Sequence, residues 1–141
     1  MSAMNKDHSK RPWFKSSFIY YHLPVIIYGS IIIIISSIPR LKPPDLKFYA
    51  ADKLAHFVEY GIFSYLTFRS FVNIKPNMDL TMVWAISLIF LISFGLLDEY
   101  YQSFIPGRFS DLGDWLTDSL SAVLIVTFLW VRRRRLKEAT K

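Results

Sequence analysis

The chain has 141 residues, of which 52% are apolar and 17% aromatic, and it contains no cysteine. A soluble domain of this length exposes much of its surface and cannot bury so much apolar area, which favours an integral membrane protein. The lack of cysteine excludes disulfides and thiolate chemistry, so a metal site would need His, Asp or Glu ligands. The net charge of +6 does not indicate nucleic acid as a partner, because the basic residues flank apolar segments.

The first element in chain order is a polar, basic tail at residues 1–17, followed by an apolar segment from Phe18 to Ile38. At about 1.5 Å per residue, this segment is long enough to cross a hydrocarbon core of ~30 Å. It is too long for the apolar part of a signal peptide, and no clear cleavage site follows it. The sequence therefore predicts an uncleaved first membrane span, with Pro24 near its entry and Pro39 at its end.

Three further spans are predicted after a loop at residues 39–51, where Pro43-Pro44 prevents regular structure. Their expected bounds are Asp52–Asn73, Leu80–Leu97 and Ser110–Val131. We expect Ser110 to be the N-cap of the last helix. The arginine run at residues 132–135 is expected to stop that helix abruptly.

The distribution of lysine and arginine predicts the orientation of these spans. Twelve of the 17 basic residues lie in the two tails and at the turn between the second and third spans, and five lie on the opposite side. Because cytoplasmic loops carry the excess of positive charge, both termini are expected in the cytoplasm. The sequence thus predicts an all-α, integral membrane four-helix bundle over residues 18–131, with cytoplasmic basic tails at 1–17 and 132–141.

The most polar stretch of the chain lies between the third and fourth spans, on the predicted outer side, and reads DEYYQSFIPGRFSDLGDWLTD over residues 98–118. Its Pro106-Gly107 pair cannot continue a helix and predicts a turn. Asp98 and Gln102 are four residues apart at the end of the preceding segment, which places them on one helix face. Charged groups this dense at a membrane boundary are costly and usually mark a functional site.

The acidic residues after this turn also share a helix face. Asp111, Asp114 and Asp118 follow a three-then-four spacing. Asp118 lies roughly 12 Å beyond Ser110 along a helix, and an unpaired carboxylate at that depth costs a few kcal/mol. These side chains therefore need cationic partners.

A second polar cluster lies at the start of the second span, on the same outer side. Its members are Asp52, Lys53, His56, Glu59 and Tyr60. Their spacing of three or four residues puts most of them on one face of a helix. Since deep carboxylates require partners, we expect Lys53 and His56 to lie beside the acidic cluster at residues 98–114.

The two clusters together resemble the motifs of the VanZ-like membrane proteins. The matching pattern is Asp52-Lys53-x-x-His56-Phe57-x-x-Tyr60 and Asp98-Glu99-x-x-Gln102-x-x-x-Pro106-Gly107-Arg108-x-x-Asp111-x-x-Asp114. The resemblance covers roughly residues 18–130 and implies a small integral protein of the bacterial cytoplasmic membrane, with the polar site on the extracytoplasmic side. The founding member of that family is linked to resistance to the glycopeptide teicoplanin. Two positions depart from the family pattern, with Asp118 in place of Asn and Ser121 in place of Gly.

The first functional hypothesis is an envelope protein that acts on, or binds, a phosphate-bearing lipid such as a polyprenyl phosphate or a lipid-linked cell-wall precursor. The catalytic candidates are His56, Glu59, Asp98, Glu99, Asp111 and Asp114, among which His56 with Glu59 or Asp98 would supply general acid–base chemistry. The candidates for substrate binding are Lys53, Asp52, Gln102, Arg108 and Tyr60, with the arginine holding phosphate through its two-pronged guanidinium. No cofactor is required, although a divalent cation held by His56 and carboxylates is a variant. A single useful histidine disfavours zinc.

The second hypothesis is non-catalytic. The chain would be an accessory membrane protein that binds or shields an envelope component, and its polar clusters would be structural ion pairs and helix caps. For any single residue this structural interpretation is favoured, but ten polar groups exceed what four helices need to hold together. A transporter is a weaker third option, because four spans without an internal repeat leave little room for alternating access.

Overall fold

The computed structural model describes residues 13–39, 49–75, 77–108 and 110–140, which form five α-helices and no strand. The helices are α1 Trp13–Tyr21, α2 Leu23–Ser36, α3 Tyr49–Ile74, α4 Leu80–Gln102 and α5 Leu112–Ala139. By length and composition, α4 and α5 qualify as membrane-crossing helices, and α2 is a shorter apolar helix. The all-α fold is confirmed, whereas the four-span bundle and its orientation stay predictions. Most of the N-terminal tail and of the loop at 39–51 lies outside the described residues.

The predicted first span is two helices and not one. Helix α1 ends at Tyr21 and α2 begins at Leu23, with Pro24 in the first turn of α2. Proline has no amide hydrogen, so it cannot donate to the carbonyl one turn earlier, and the helical ladder is interrupted there. The junction residue His22 keeps helical dihedral angles, and its Nδ1 lies 2.7 Å from Ser70 Oγ of α3. The break is therefore slight and is fixed by a contact to a neighbouring helix.

Both predicted ends of the last helix were wrong. The N-cap is Asp111 and not Ser110, because the Asp111 carboxylate accepts a hydrogen bond of 2.8 Å from the Gly113 amide. The helix also continues through the arginine run to Ala139. Arginine, lysine and leucine are strong helix formers, so a run of charges can end a membrane segment without ending the helix.

The Pro106-Gly107 turn is confirmed. The Arg108 amide donates to the Ile105 carbonyl at 3.1 Å, which closes a four-residue turn with proline and glycine in its two central positions. Gly107 has φ 81°, a conformation that suits glycine because other residues meet a steric penalty there. The turn brings the start of α5 back against the end of α4.

Helices α3 and α5 form the most extensive helix–helix contact, and α4 packs against both. The approach of α3 to α5 is close at Gly61, where a Cβ atom would lie 3.3 Å from Ser121 Oγ. The Ser121 hydroxyl is fully buried and donates a 2.6 Å hydrogen bond to the Phe57 carbonyl. The serine side chain at this position thus adds a hydrogen bond between the two helices.

We expect Ser121→Ala to lower the free energy of unfolding by about 0.5–1.5 kcal/mol, because it removes this interhelical hydrogen bond and leaves a buried carbonyl with one bond fewer. The measurement is the midpoint of unfolding in detergent by added SDS. Ser119→Ala is the matched control on the same helix, since the Ser119 hydroxyl is buried and has no hydrogen-bond partner among the described residues. Equal effects of the two substitutions would contradict the role of the Ser121 bond.

Candidate functional site

A chain of charged side chains joins α3 to the start of α5. The Lys53 ammonium donates to Asp111 Oδ2 at 2.7 Å and to Asp114 Oδ1 at 2.5 Å. One turn further along α3, His56 Nδ1 lies 3.1 Å from Asp118 Oδ1, and His56 Nε2 lies 3.8 Å from Asp114 Oδ1. The structure therefore brings Lys53 and His56 together with the acidic residues Asp111, Asp114 and Asp118, which belong to the stretch at residues 98–118.

The helical spacing of the sequence explains this register. Helices α3 and α5 run in the same direction here. Lys53 and His56 are three residues apart on α3, and Asp114 and Asp118 are four residues apart on α5, so both contacts can form at once. Asp114 and Asp118 lie on the buried face of α5, 8% and 2% exposed, as their spacing predicted. Asp111 caps the helix with one carboxylate oxygen and binds Lys53 with the other. The hydrogen bonds from Lys53 and from the Gly113 amide hold the pKa of Asp111 below its ordinary value.

A second hydrogen-bonded group joins the end of α2 to the end of α4. The Ser36 hydroxyl and the Gln102 amide both donate to Asp98 Oδ2, each at 2.8 Å, and all three side chains are buried. The prediction that Asp98 and Gln102 lie on one helix face is confirmed, and the two side chains are also hydrogen-bonded. Ser36 was missed, because a lone serine at the end of an apolar segment carries no local signal for a partner 62 residues away.

Arg108 binds the C-terminal end of α2. Its Nε and Nη2 atoms donate to the carbonyl oxygens of Ser36 and Ile35, both at 3.3 Å. The last carbonyls of a helix lack intrahelical partners, and a cation there also complements the helix dipole. A guanidinium carries five N–H donors, so two carbonyls do not exhaust its capacity to bind an anion.

Glu99 ties the loop to the end of α4. Its Oε2 accepts a 2.9 Å hydrogen bond from the Asp111 amide. Glu99 is only 5% exposed. The side chain that the sequence offered as a catalytic acid is therefore placed where it positions the N-cap of α5.

The last three predicted site residues are Glu59, Tyr60 and Asp52, and their side chains form no hydrogen bond with any residue that the structure describes. Glu59 is half-buried and lies within electrostatic range of His56 and Asp98. The Tyr60 hydroxyl is buried against Gly95, and neither it nor Asp98 Oδ1 has a hydrogen-bond partner among the described residues. Buried polar atoms of this kind are available to a water, an ion or a ligand.

Asp52 is close enough to share a cation with α5. One ligand atom each from Asp52, His56 and Asp114 lie within 4.8 Å of one another. Because Asp118 contacts His56 Nδ1, the other ring nitrogen, Nε2, faces Asp114. A metal-bound histidine usually has this arrangement, with one nitrogen on the metal and the other supported by a carboxylate. These side chains therefore fit a divalent cation, although the Lys53 ammonium competes for Asp114.

The site as a whole carries an excess of acids. Its seven carboxylates are Asp52, Glu59, Asp98, Glu99, Asp111, Asp114 and Asp118. Within the described part of the chain, the basic side chains that lie among them are Lys53, Arg108 and His56. Such an excess at a low-dielectric boundary favours bound protons or an added cation.

Comparison with protein families identifies the chain. A VanZ/LLP1 family model matches residues 4–133, and the chain therefore belongs to this family. No curated protein and no solved structure matches the sequence. The resemblance seen in the two motifs is confirmed at the level of the family.

We predict that Asp118→Asn preserves the fold, because asparagine Oδ1 can still accept a hydrogen bond from His56 Nδ1 while a buried charge is removed. The unfolding midpoint in detergent should be unchanged or higher. Asp118→Leu is the matched control of similar size, and it should lower the free energy of unfolding by about 1–3 kcal/mol by leaving the imidazole unpartnered. An Asn variant as unstable as the Leu variant would show that the carboxylate charge itself is required.

Proposed function

We propose that this VanZ/LLP1 family member spans the bacterial cytoplasmic membrane four times, with both termini in the cytoplasm and the polar site on the extracytoplasmic side. The distance along each helix between the charged residues at its two ends supports this arrangement. From Lys53 to Arg69 on α3 and from Asp114 to Arg132 on α5, the helices rise roughly 24 Å and 27 Å at about 1.5 Å per residue. Both values approach the thickness of a hydrocarbon core, ~30 Å.

The outward face of α5 also supports insertion in lipid. Leu116, Leu120, Leu124 and Phe128 are spaced four residues apart, and each is more than half exposed. A continuous stripe of exposed large apolar side chains is a liability in water and is normal against lipid tails. It occupies the same stretch of helix as the buried Asp118 and Ser121 on the opposite face.

The chain lacks cysteine, so single-cysteine labelling tests the orientation directly. Ser103→Cys, in the loop after α4, should react with a membrane-impermeant maleimide in intact cells. Thr140→Cys, at the end of α5, should react only after the membrane is permeabilised, when both variants should label equally. Labelling of Thr140→Cys but not Ser103→Cys in intact cells would reverse the proposed topology.

At the polar site we infer an activity or a binding function toward a phosphate-bearing lipid, such as a polyprenyl phosphate or a lipid-linked cell-wall precursor. The observation that carries this proposal is the His56–Asp118 pair, which fixes the imidazole and leaves its Nε2 beside Asp114 at the membrane boundary. A histidine oriented by a carboxylate is suited to general acid–base chemistry. Action on such a precursor would also account for a link to glycopeptide (teicoplanin) resistance.

The surplus of carboxylates makes a divalent cation part of this proposal. The described part of the site would present seven acids and two permanent cations to a phosphate, which these charges would repel unless protons or a metal ion intervened. Mg²⁺ binds through one or two carboxylates together with phosphate oxygens of the substrate. Asp52, His56 and Asp114 would hold such an ion, and Arg108 would bind the phosphate from the α2 side through its remaining donors.

The alternative is a non-catalytic accessory protein that binds or shields an envelope component. A specific observation favours it, because Lys53 and His56 are already paired with carboxylates and Arg108 already caps α2. In that case the cluster holds the helices together and any ligand binds without turnover. The two functions differ in whether the lipid is changed.

The test uses purified protein in lipid nanodiscs with polyprenyl phosphate or lipid-linked precursor, in the presence of Mg²⁺ or EDTA. Mass spectrometry reports chemical change, and a binding titration reports affinity. We expect Arg108→Lys to weaken binding roughly 10–100-fold, because lysine keeps the charge but loses the fork geometry. His56→Gln should abolish turnover while binding persists.

Membrane abundance and unfolding midpoint are the controls for both variants, and Asp118→Asn serves as a neighbouring substitution that keeps the fold. Lipid that is bound but never altered by the wild-type protein would establish the accessory alternative. An Arg108→Lys variant that binds like the wild type would refute the role of the arginine in holding phosphate.

A further inference from the structure

A groove lies between the C-terminal halves of α3 and α5, at the end of the bundle away from the polar site. It has a volume of about 190 Å³. Its apolar and aromatic lining is Tyr65, Phe68, Leu129 and Leu136, and its basic lining is Arg69, Arg132 and Arg133. The groove thus combines a lipid-like floor with three guanidinium groups at one level of the helices.

The three arginines differ in how they are held. Arg69 is fixed, because its Nη2 donates to the Tyr20 carbonyl at 3.2 Å and its guanidinium lies 4.1 Å from the centre of the Tyr20 ring. Arg132 and Arg133 are exposed and have no ion-pair partner within the part of the chain that the structure describes. By contrast, Arg134 pairs with Glu138 at 3.3 Å. The groove is therefore lined by cations whose charge is not neutralised.

The floor of the groove favours an amphipathic ligand over a small anion. Phe68 is buried at 3% exposure and closes the bottom, whereas Tyr65 and Leu136 are about half exposed and open it sideways. If the helices span a bilayer as proposed, the open side of the groove faces the surrounding lipid. A ligand with a phosphate at the level of the arginines and a hydrocarbon chain beside Tyr65 satisfies both parts of the surface.

The geometry points to a binding site for an anionic phospholipid of the inner leaflet, with its phosphate between Arg132, Arg133 and Arg69 and one acyl chain along Tyr65. Basic pockets between transmembrane helices on the cytoplasmic side bind anionic headgroups through this combination of charge and burial. The site rests on the proposed membrane orientation but is independent of the chemistry at His56. A resident lipid would fill the space between α3 and α5 at the inner boundary.

The test is a titration of the purified protein, in a neutral detergent, with dioctanoyl phosphatidylglycerol, read out by native mass spectrometry. The chain offers a matched pair of variants within one arginine run. R132Q/R133Q removes two groove arginines, and R134Q/R135Q removes the same charge from positions that do not line the groove. We expect the first variant to bind roughly 30-fold more weakly and the second to change affinity by less than about threefold.

Equal losses in the two variants would overturn the site, since they would mean attraction to the net charge of the tail alone. Dioctanoyl phosphatidylcholine and inorganic phosphate complete the design. Saturable binding of free phosphate as tight as that of the lipid would also overturn the proposal, because the apolar floor would then contribute nothing.

His56→Gln should bind phosphatidylglycerol like the wild type, so a failure of the proposed activity at the polar site leaves this result intact. If the chain is recovered without detergent in the soluble fraction of cells, the proposed topology fails first and the lipid site fails with it.

Discussion

The ionic contact between α3 and α5 constrains the rest of the structure. Lys53 with Asp114 and His56 with Asp118 form two pairs, one helical turn apart. Removing one partner of the Lys53–Asp114 pair leaves an uncompensated charge, which costs more than replacing both partners with apolar side chains. A sliding of either helix by one residue would break both pairs at once. The contact therefore fixes the register in which all other side chains of the two helices meet.

The polar groups that hold the helices are the same groups that could do chemistry. Asp98 joins α2 to α4, Arg108 binds the end of α2, and Glu99 positions the N-cap of α5. A deletion of any of them damages packing and a ligand site together, so lost activity alone would not identify a function. Substitutions that keep the hydrogen bond and change only charge or geometry, such as Asp118→Asn and Arg108→Lys, separate the two roles.

Much of this arrangement could be predicted because it obeys the period of the helix. The three-and-four spacing placed Asp114 and Asp118 on one buried face, and the cost of deep charge required that they meet Lys53 and His56. What escaped prediction depends on other forces. Ser36 acts through a tertiary contact with Asp98, which no local sequence pattern indicates. Helix α5 continues through its arginines because of their helix propensity, whereas the arginine run in the sequence indicates only the end of the predicted membrane span.

The two ends of the bundle have opposite charge, and this asymmetry has a chemical consequence. At the acidic end a phosphate can approach only if protons or a divalent cation offset the carboxylates, so binding there should depend on the metal ion and on pH. At the basic end, the proposed lipid phosphate would meet Arg132 and Arg133 without any mediator. In the proposed topology, one short chain would hold a structural lipid in the inner leaflet and would also discriminate among phosphate-bearing lipids in the outer leaflet, because the two proposed sites would recognise the same group by different physical means.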